Sequence, residues 1–223
     1  FFDRRDTSQF FFTDPYDLTV LRPEDIIFTN TLSPFTNLSY YKTFDSRNGE
    51  ERFKSYFAIN ANKRFGVGFY IDYLYGRGLY ASQSTAFFNG GLFASYRGDK
   101  YNMHFIFNND NLKMAENGGI ADDRYITNPL DMAEGKKEYK SYDIPTNLNK
   151  VWNHNTSYHV FMTQRYNLGF HKEKIDSVTK DSVRIIQEFV PVTSFIHTLQ
   201  VDLNGRKYIS YDCLLYTSPS PRD

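Results

Sequence analysis

With 223 residues the chain has room for one β-rich domain or two smaller ones, and its 40% hydrophobic content includes 21 Phe and 18 Tyr against a single Trp. Lys+Arg and Asp+Glu balance at 26 each, which removes the electrostatic basis for nucleic-acid binding, and one cysteine excludes a disulfide framework and a thiolate metal site. Apolar runs are only a few residues long, so no transmembrane helix is encoded.

The chain opens at Phe1-Phe2-Asp3 with neither Met nor a signal peptide, and reads as a truncated start. Residues 1–34 are irregular. Asp14-Pro15-Tyr16-Asp17 and Arg22-Pro23-Glu24-Asp25 are turn signals around short β-leaning pieces at 18–21 and 26–29. These pieces are either strands of the following sheet or a segment folded against it.

From Phe35 a period of two sets in. A first strand at about 35–44 alternates poorly. A second, about 51–62, puts Phe53, Phe57, Ile59 and Ala61 on one face and Arg52, Lys54, Asn60 and Asn62 on the other. After a tight Asn62-Lys63-Arg64 turn, the stretch Phe65 to Tyr75 carries Phe, Val, Phe, Ile, Tyr and Tyr at odd positions, with Gly, Gly, Tyr, Asp and Leu between them. A helix there would place Gly68 and Asp72 in its apolar stripe, so the period predicts a strand. At about 3.3 Å per residue it spans roughly 36 Å, and tilted by about 45° it crosses roughly 25 Å, the apolar height of an outer-membrane barrel.

Further strands are expected at about 85–97 (Ala86, Phe88, Leu92, Ala94 and Tyr96 against Thr85, Asn89, Ser95 and Arg97) and about 100–109 (Tyr101, Met103, Phe105 and Phe107 against Lys100, Asn102, His104 and Asn108). Between them Gly98-Asp99 suggests a Gly-first hairpin turn. A long polar loop at about 110–155 follows, then a strand at 156–170 with Tyr158, Val160, Met162, Tyr166, Leu168 and Phe170 facing away from Ser157, His159, Thr163, Arg165 and Asn167. A charged link precedes a strand near 189–203, and Asn204-Gly205 signals a hairpin.

Short turns at 62–64 and 97–100 alternate with longer loops at 76–84 and 110–155, the habit of outer-membrane barrels. The link at 171–188 falls on the short side and is too long for it. Phe53, Phe65, Tyr75, Tyr96, Tyr101, Tyr158 and Phe170 stand at strand ends, where an aromatic girdle would lie. Alternation alone also suits a soluble β-sandwich.

The chain resembles the putative porin family of Bacteroidota-type Gram-negative bacteria. The likeness is carried by Arg22-Pro23-Glu24-Asp25, Pro34-Phe35-Thr36-Asn37-Leu38, Asn60-Ala61-Asn62-Lys63-Arg64, Asp72-Tyr73-Leu74-Tyr75-Gly76-Arg77-Gly78 and Ser95-Tyr96-Arg97-Gly98-Asp99. It continues through Glu116-Asn117-Gly118-Gly119-Ile120, Asp122-Asp123-Arg124-Tyr125-Ile126, Ile144-Pro145-Thr146-Asn147-Leu148 and Gln187-Glu188-Phe189-Val190-Pro191-Val192-Thr193-Ser194-Phe195. The resemblance spans nearly all of 14–210 in order. It implies an outer-membrane β-barrel channel and supplies no catalytic or binding residues. It also implies a longer protein, with a signal peptide before Phe1 and more strands after Asp212. The final stretch from Cys213 to Asp223 resembles translated sequencing-adapter sequence of the kind that ends metagenome-derived proteins, and is expected to be non-native.

Sharper motifs yield to plainer readings. Arg97-Gly98-Asp99 spells an integrin-binding tripeptide but stands where turn chemistry is needed. Asp110, Glu116, Asp122, Asp123 and Asp131 gather oxygen ligands in the long loop without EF-hand spacing; Arg124, Lys136, Lys137 and Lys140 could pair with them, and such a loop folded inward would constrict a pore. His104, His154, His159, His171 and His197 make no His-x-x-x-His pair, so a zinc site is not expected. No nucleophile elbow or P-loop is present, and Gly76-Arg77-Gly78 precedes no helical pattern.

The sequence therefore predicts an all-β fold: an antiparallel transmembrane β-barrel, partial and truncated at both ends. Residues 1–34 form an irregular segment, 35–212 the barrel and 213–223 the non-native tail. Arg52, Lys54, Asp72, Lys100 and Arg165 are expected to face the lumen. Phe57, Ile59, Val67, Phe69, Ile71, Tyr73, Leu92, Met103, Phe105, Val160 and Met162 are expected to face lipid. The expected function is a non-enzymatic porin-like channel for passive diffusion of small solutes, with no cofactor, metal or nucleic-acid partner. Its partners would be the lipid bilayer of a bacterial outer membrane, small solutes or ions, and in a homo-oligomer further copies of itself. The barrel of a substrate-binding nutrient receptor, and a structural or adhesive barrel with a blocked lumen, are the alternatives.

Overall fold

The alternation around Phe65 becomes the third strand of a seven-stranded antiparallel sheet in a computed structural model of the chain, which describes residues 10–16, 19–44, 48–133, 140–179 and 182–211. The strands are β1 (Phe35–Lys42), β2 (Glu50–Asn60), β3 (Phe65–Arg77), β4 (Ser84–Arg97), β5 (Tyr101–Glu116), β6 (Val151–Thr179) and β7 (Ser182–Ser210). Each pairs with its neighbours in sequence, so the sheet is a simple meander, and β1 and β7 are edges that do not meet. No helix among the described residues is long and apolar enough to cross a membrane.

Directly opposed residues in an antiparallel pair share a face, so register fixes both faces of the sheet. One row runs Phe57, Phe69, Leu92, Phe107, Val160, Val201, and the next Ile59, Val67, Ala94, Phe105, Met162, Leu199. These rows lie on an open face, where Leu92 is 56% exposed and the Phe57 and Phe69 rings stack at 5.5 Å. Much of the opposite face is covered, because residues 10–16 and 19–31 lie across it as an irregular strap. Its described residues contain two short 3₁₀ turns, Phe11–Tyr16 and Pro23–Asp25, and no strand. Ile26 packs with Ala58, Tyr70, Phe93 and Ile106, flanked by Leu21 and Phe28. Residues 1–34 are thus resolved as a segment folded against the sheet wherever they are described.

Several expectations change. The charged link at 171–188 is no loop: β6 and β7 stay paired from Val151↔Ser210 to Thr179↔Ser182, with bulges at Leu168/Gly169 and Ile175/Ser177 that broke the sequence pattern. Asn204-Gly205 is no hairpin, because both residues pair within β7, opposite Ser157 and Thr156. Gly98 is not the first central residue of its turn. Its N–H donates to the Tyr101 carbonyl at 2.8 Å, which centres the turn on Asp99-Lys100, and positive φ among glycines occurs at Gly118 and Gly119 instead. β5 runs on to Glu116 with polar residues on its open face, so the long connection is 117–150. The tail 213–223 lies outside the described residues, as do Lys136 and Lys137.

Candidate functional site

The covered face is where side chains of chemical interest converge. Alternation carries Arg52, Lys54, Asp72 and Arg165 onto it, since Lys54 opposes Asp72, Arg52 opposes Leu74, and Arg165 opposes Asn102. Lys100 sits in the turn before β5, its Nζ 5.9 Å from the Phe189 ring centroid. Phe57, Ile59, Val67, Phe69, Ile71, Tyr73, Leu92, Met103, Phe105, Val160 and Met162 all fall on the opposite, open face. So do Phe53, Phe65, Tyr75, Tyr96, Tyr101 and Tyr158, and the Tyr96 and Tyr101 rings lie 6.0 Å apart near the short-turn end.

Two ionic groups occupy the covered face. Arg52 grips Asp72 in a two-pronged contact, Nε to Oδ1 at 2.9 Å and Nη2 to Oδ2 at 2.7 Å, and Lys54 Nζ lies 3.4 Å from Oδ2. Two cations thus share one carboxylate beside Ile26 and Ile27 of the strap, with Asp25 lining the same recess. On β5, β6 and β7 the His159 ring bridges two carboxylates: Nδ1 contacts Asp202 Oδ1 at 2.5 Å, and Nε2 lies 3.5 Å from Asp110 Oδ2. Gln200 Nε2 donates to the other Asp202 oxygen at 2.8 Å. A cleft of about 200 Å³ opens here between strap and sheet, lined by Phe10, Arg22, Glu24, Ser157, His159 and Asp202 among others.

The strap is fastened by amide side chains from the sheet. Asn89 Nδ2 donates to the Thr19 carbonyl at 2.9 Å, Asn108 Nδ2 to that of Leu21 at 2.9 Å, and Asn155 Nδ2 to that of Phe12 at 3.2 Å. Tyr56 donates its hydroxyl proton to the Ile27 carbonyl at 2.7 Å, and Asn60 reaches Asn30 and Thr31. Rings complete the seam: Tyr16 on Phe87, Phe28 on Phe93 and His104, and Arg206 over Phe12. A strap without strand partners has its carbonyls satisfied from the side, which is what buried backbone requires.

Sequence reasoning placed Asp110 in an acidic loop; it lies in β5, 1% exposed, because its neighbours alternate onto the covered face. The remaining loop carboxylates form no ligand cluster among the described residues. Asp122 instead pairs with Arg124 at 2.6 Å, and that hydrogen bond holds its carboxyl below the usual carboxylate range, so the pair persists until the pH falls through that lowered value. Arg97-Gly98-Asp99 is a hairpin corner, with Asp99 tied to Arg64 at 3.0 Å. The fastening role of Asn89, Asn108, Asn155 and Tyr56 was missed. Their alternation signalled the right face, but nothing local announces that residues 10–31 return to cover it.

A family model described as putative porin matches residues 1–218, so the chain belongs to that family. No curated protein and no solved structure matches the chain.

Proposed function

We propose that this member of the putative porin family forms part of an outer-membrane channel wall through which small solutes and ions diffuse passively, with no chemical step. The single observation that carries the reading is the two-faced sheet: continuous apolar rows on the open side, and on the other a mixed face where Arg52, Lys54, Asp72 and Arg165 alternate with the residues that pack under the strap. An apolar outer band and a polar interior are what a barrel in lipid demands. Arg52, Lys54, Asp72 and Arg165 then line the lumen with Lys100 at its short-turn rim, and their local field sets ion preference. The full-length gene product, reconstituted in a planar bilayer, is expected to give stable stepwise conductance; insertion without conductance overturns the reading.

The strap favours a second reading, a lumen narrowed or blocked from within, because it crosses the covered face from Asn155 on β6 to Asn60 on β2. Under that reading the intact protein inserts silently and removal of residues 10–31 opens it.

A further inference from the structure

At the end of the sheet that carries the longer connections, the open face turns from apolar to basic. One row there runs Tyr75, Ala86, Lys113, His154, Lys207, and beyond it stand the opposed pairs Arg77 with Ser84 and Ala115 with Trp152. Lys113 and Lys207 flank Trp152 diagonally from the two neighbouring strands, and Lys150 precedes it by two residues. Diagonal neighbours stand about 7–8 Å apart at Cα, so lysine side chains from both can meet on one small anion. Lys113 Nζ already lies 4.4 Å from the Trp152 ring centroid. A recess of about 480 Å³ opens beside the indole, with Arg77 on its far wall. Its strand residues, Tyr75, Arg77, Ser84, Ala115 and Trp152, all belong to the open face, and Ser82, Tyr142 and Asn149 close it from the connections. No carboxylate lines it. Glu51, on the Tyr75 row, is paired with Lys42, and Glu116 falls on the covered face opposite Val151. Lys113 and Lys207 on either side of His154 are therefore like charges side by side, which destabilises a sheet until an anion stands between them. Backbone strain marks the same place: Ser82 and Lys150, at φ 53° and 55°, are the non-glycine residues with positive φ among the described residues, and both line the recess.

We propose that this recess holds an anionic, phosphate-bearing lipid headgroup of the outer leaflet, its phosphate among Lys113, Lys150 and Lys207 at the Trp152 indole and the rest of the headgroup toward Arg77. The inference rests on the reading of the open face as lipid-facing. Depth then favours a lipid over a soluble anion. From Phe65 at the short-turn end to Tyr75, β3 climbs about 33 Å along the strand, or about 23 Å along the membrane normal at a tilt of about 45°, close to the roughly 25 Å of an apolar band. The basic rows thus stand where headgroups begin, with Tyr75 and Trp152 at the level of an aromatic belt and the lysine stems lying along apolar surface. On the channel reading the end with the longer connections is the extracellular one, which selects the outer leaflet. Ammonium groups hold phosphate oxygens through charge-assisted hydrogen bonds, and the indole N–H is a further donor. A zwitterionic headgroup brings its own cation into a wall of cations and is disfavoured.

Trp152, the single Trp of this sequence, is a reporter already in place. The full-length protein is reconstituted into phosphatidylcholine vesicles doped with acyl-brominated lipid, either phosphatidylglycerol or phosphatidylcholine at equal mole fraction, and the emission lost on Trp152→Phe is taken as the Trp152 signal. Brominated phosphatidylglycerol is expected to quench that signal at lower mole fraction than brominated phosphatidylcholine. Lys113→Gln should move the phosphatidylglycerol quenching curve to about fivefold higher mole fraction, as should Lys207→Gln if the first variant fails to fold, because each removes one cation near the surface. Lys113→Arg should restore the curve, and Lys63→Gln, in the turn at the other end of the sheet, should leave it unchanged. Equal quenching by the two lipids, with the protein floating with the vesicles, overturns the inference and leaves the channel reading standing. Failure to float with the vesicles overturns both. A shift from Lys63→Gln as large as that from Lys113→Gln overturns the inference in favour of unspecific surface charge, and reversal of the quenching by millimolar glycerol phosphate overturns it by placing a soluble phosphate in the recess.

Discussion

Asp72 holds two cations at once, and that ratio makes it the residue whose loss should be read in selectivity more than in folding. Its bond to Arg52 is two-pronged and half-sheltered, a geometry that fixes both side chains without burying either fully. Asp72→Asn releases Arg52 and Lys54, so on the proposed channel reading the lumen wall becomes more positive. The expected result is a reversal potential shifted toward anion preference, at a stability cost of about 1 kcal/mol or less. Unchanged selectivity would place the patch away from the ion path. Phe69 tests the other face. It sits mid-row between Phe57 and Leu92, and Phe69→Arg should cost about 2–4 kcal/mol if that row lies near the bilayer midplane, seen as lost heat-modifiable folded barrel on a gel. Equal folding defects from both substitutions would sink the assignment of faces. Gly68 shows why some covered-face positions have no side chain. An added Cβ would come within 2.3 Å of the Phe93 ring, which lies across the glycine and supports Phe28 of the strap. Gly68→Val should therefore displace Phe93 and destabilise by about 1–3 kcal/mol, visible as weakened aromatic near-ultraviolet circular dichroism.

Among the elements, the strands were legible and the strap was not, for one physical reason. A strand writes its two environments into every second residue, so Val67, Phe69 and Ile71 announce an apolar face whatever lies beyond it. The strap has no such period; its order comes from Tyr56, Asn89, Asn108 and Asn155 on distant strands, whose donors reach its carbonyls. Phe87 and Phe93 show the same limit. They sit among Asn89, Ser95 and Arg97 on a face that looked merely polar, and are buried only because Tyr16, Ile26 and Phe28 cover them. The extension of β6 and β7 past residue 170 was hidden by the charged run from His171 to Lys174 and by one extra residue in each strand, Val192 in β7 and Asp176 in β6, which invert the alternation on which strand recognition depends. Because amide-to-carbonyl bonds hold the strap, replacing Asn89, Asn108 and Asn155 together by Leu should loosen it while sparing the sheet. Conductance noise or open-channel current should then rise, whereas a strap that does not touch the ion path would leave both unchanged.

At the scale of the molecule, the meander sorts its connections by end. The turns after β2 and β4 are tight: Asn62 Oδ1 accepts from Arg64 and Phe65 at the first, and Gly98 bonds Tyr101 at the second. The connections after β1, β3 and β5 lie at the other end. They include the stretch 117–150, which bridges Ile120 to Thr146 and meets the 78–83 turn through Ser82 and Asn149 at 3.0 Å. The β6–β7 ribbon projects beyond the tight-turn end, with Lys174 and Glu188 paired at 3.0 Å, and on the channel reading it stands outside the apolar band. Outer-membrane barrels keep short turns in the periplasm and long loops outside the cell. On the proposed channel reading that habit predicts the orientation, which can be checked with single cysteines placed after Cys213 is changed to Ser. On intact cells a membrane-impermeant maleimide should label Ser82→Cys and Asp123→Cys, and should reach Asp99→Cys and Lys174→Cys only after the outer membrane is opened. The reverse labelling would turn the wall over in the membrane and carry the β6–β7 ribbon to the cell surface. Equal labelling of both ends on intact cells would mean that the sheet does not span at all.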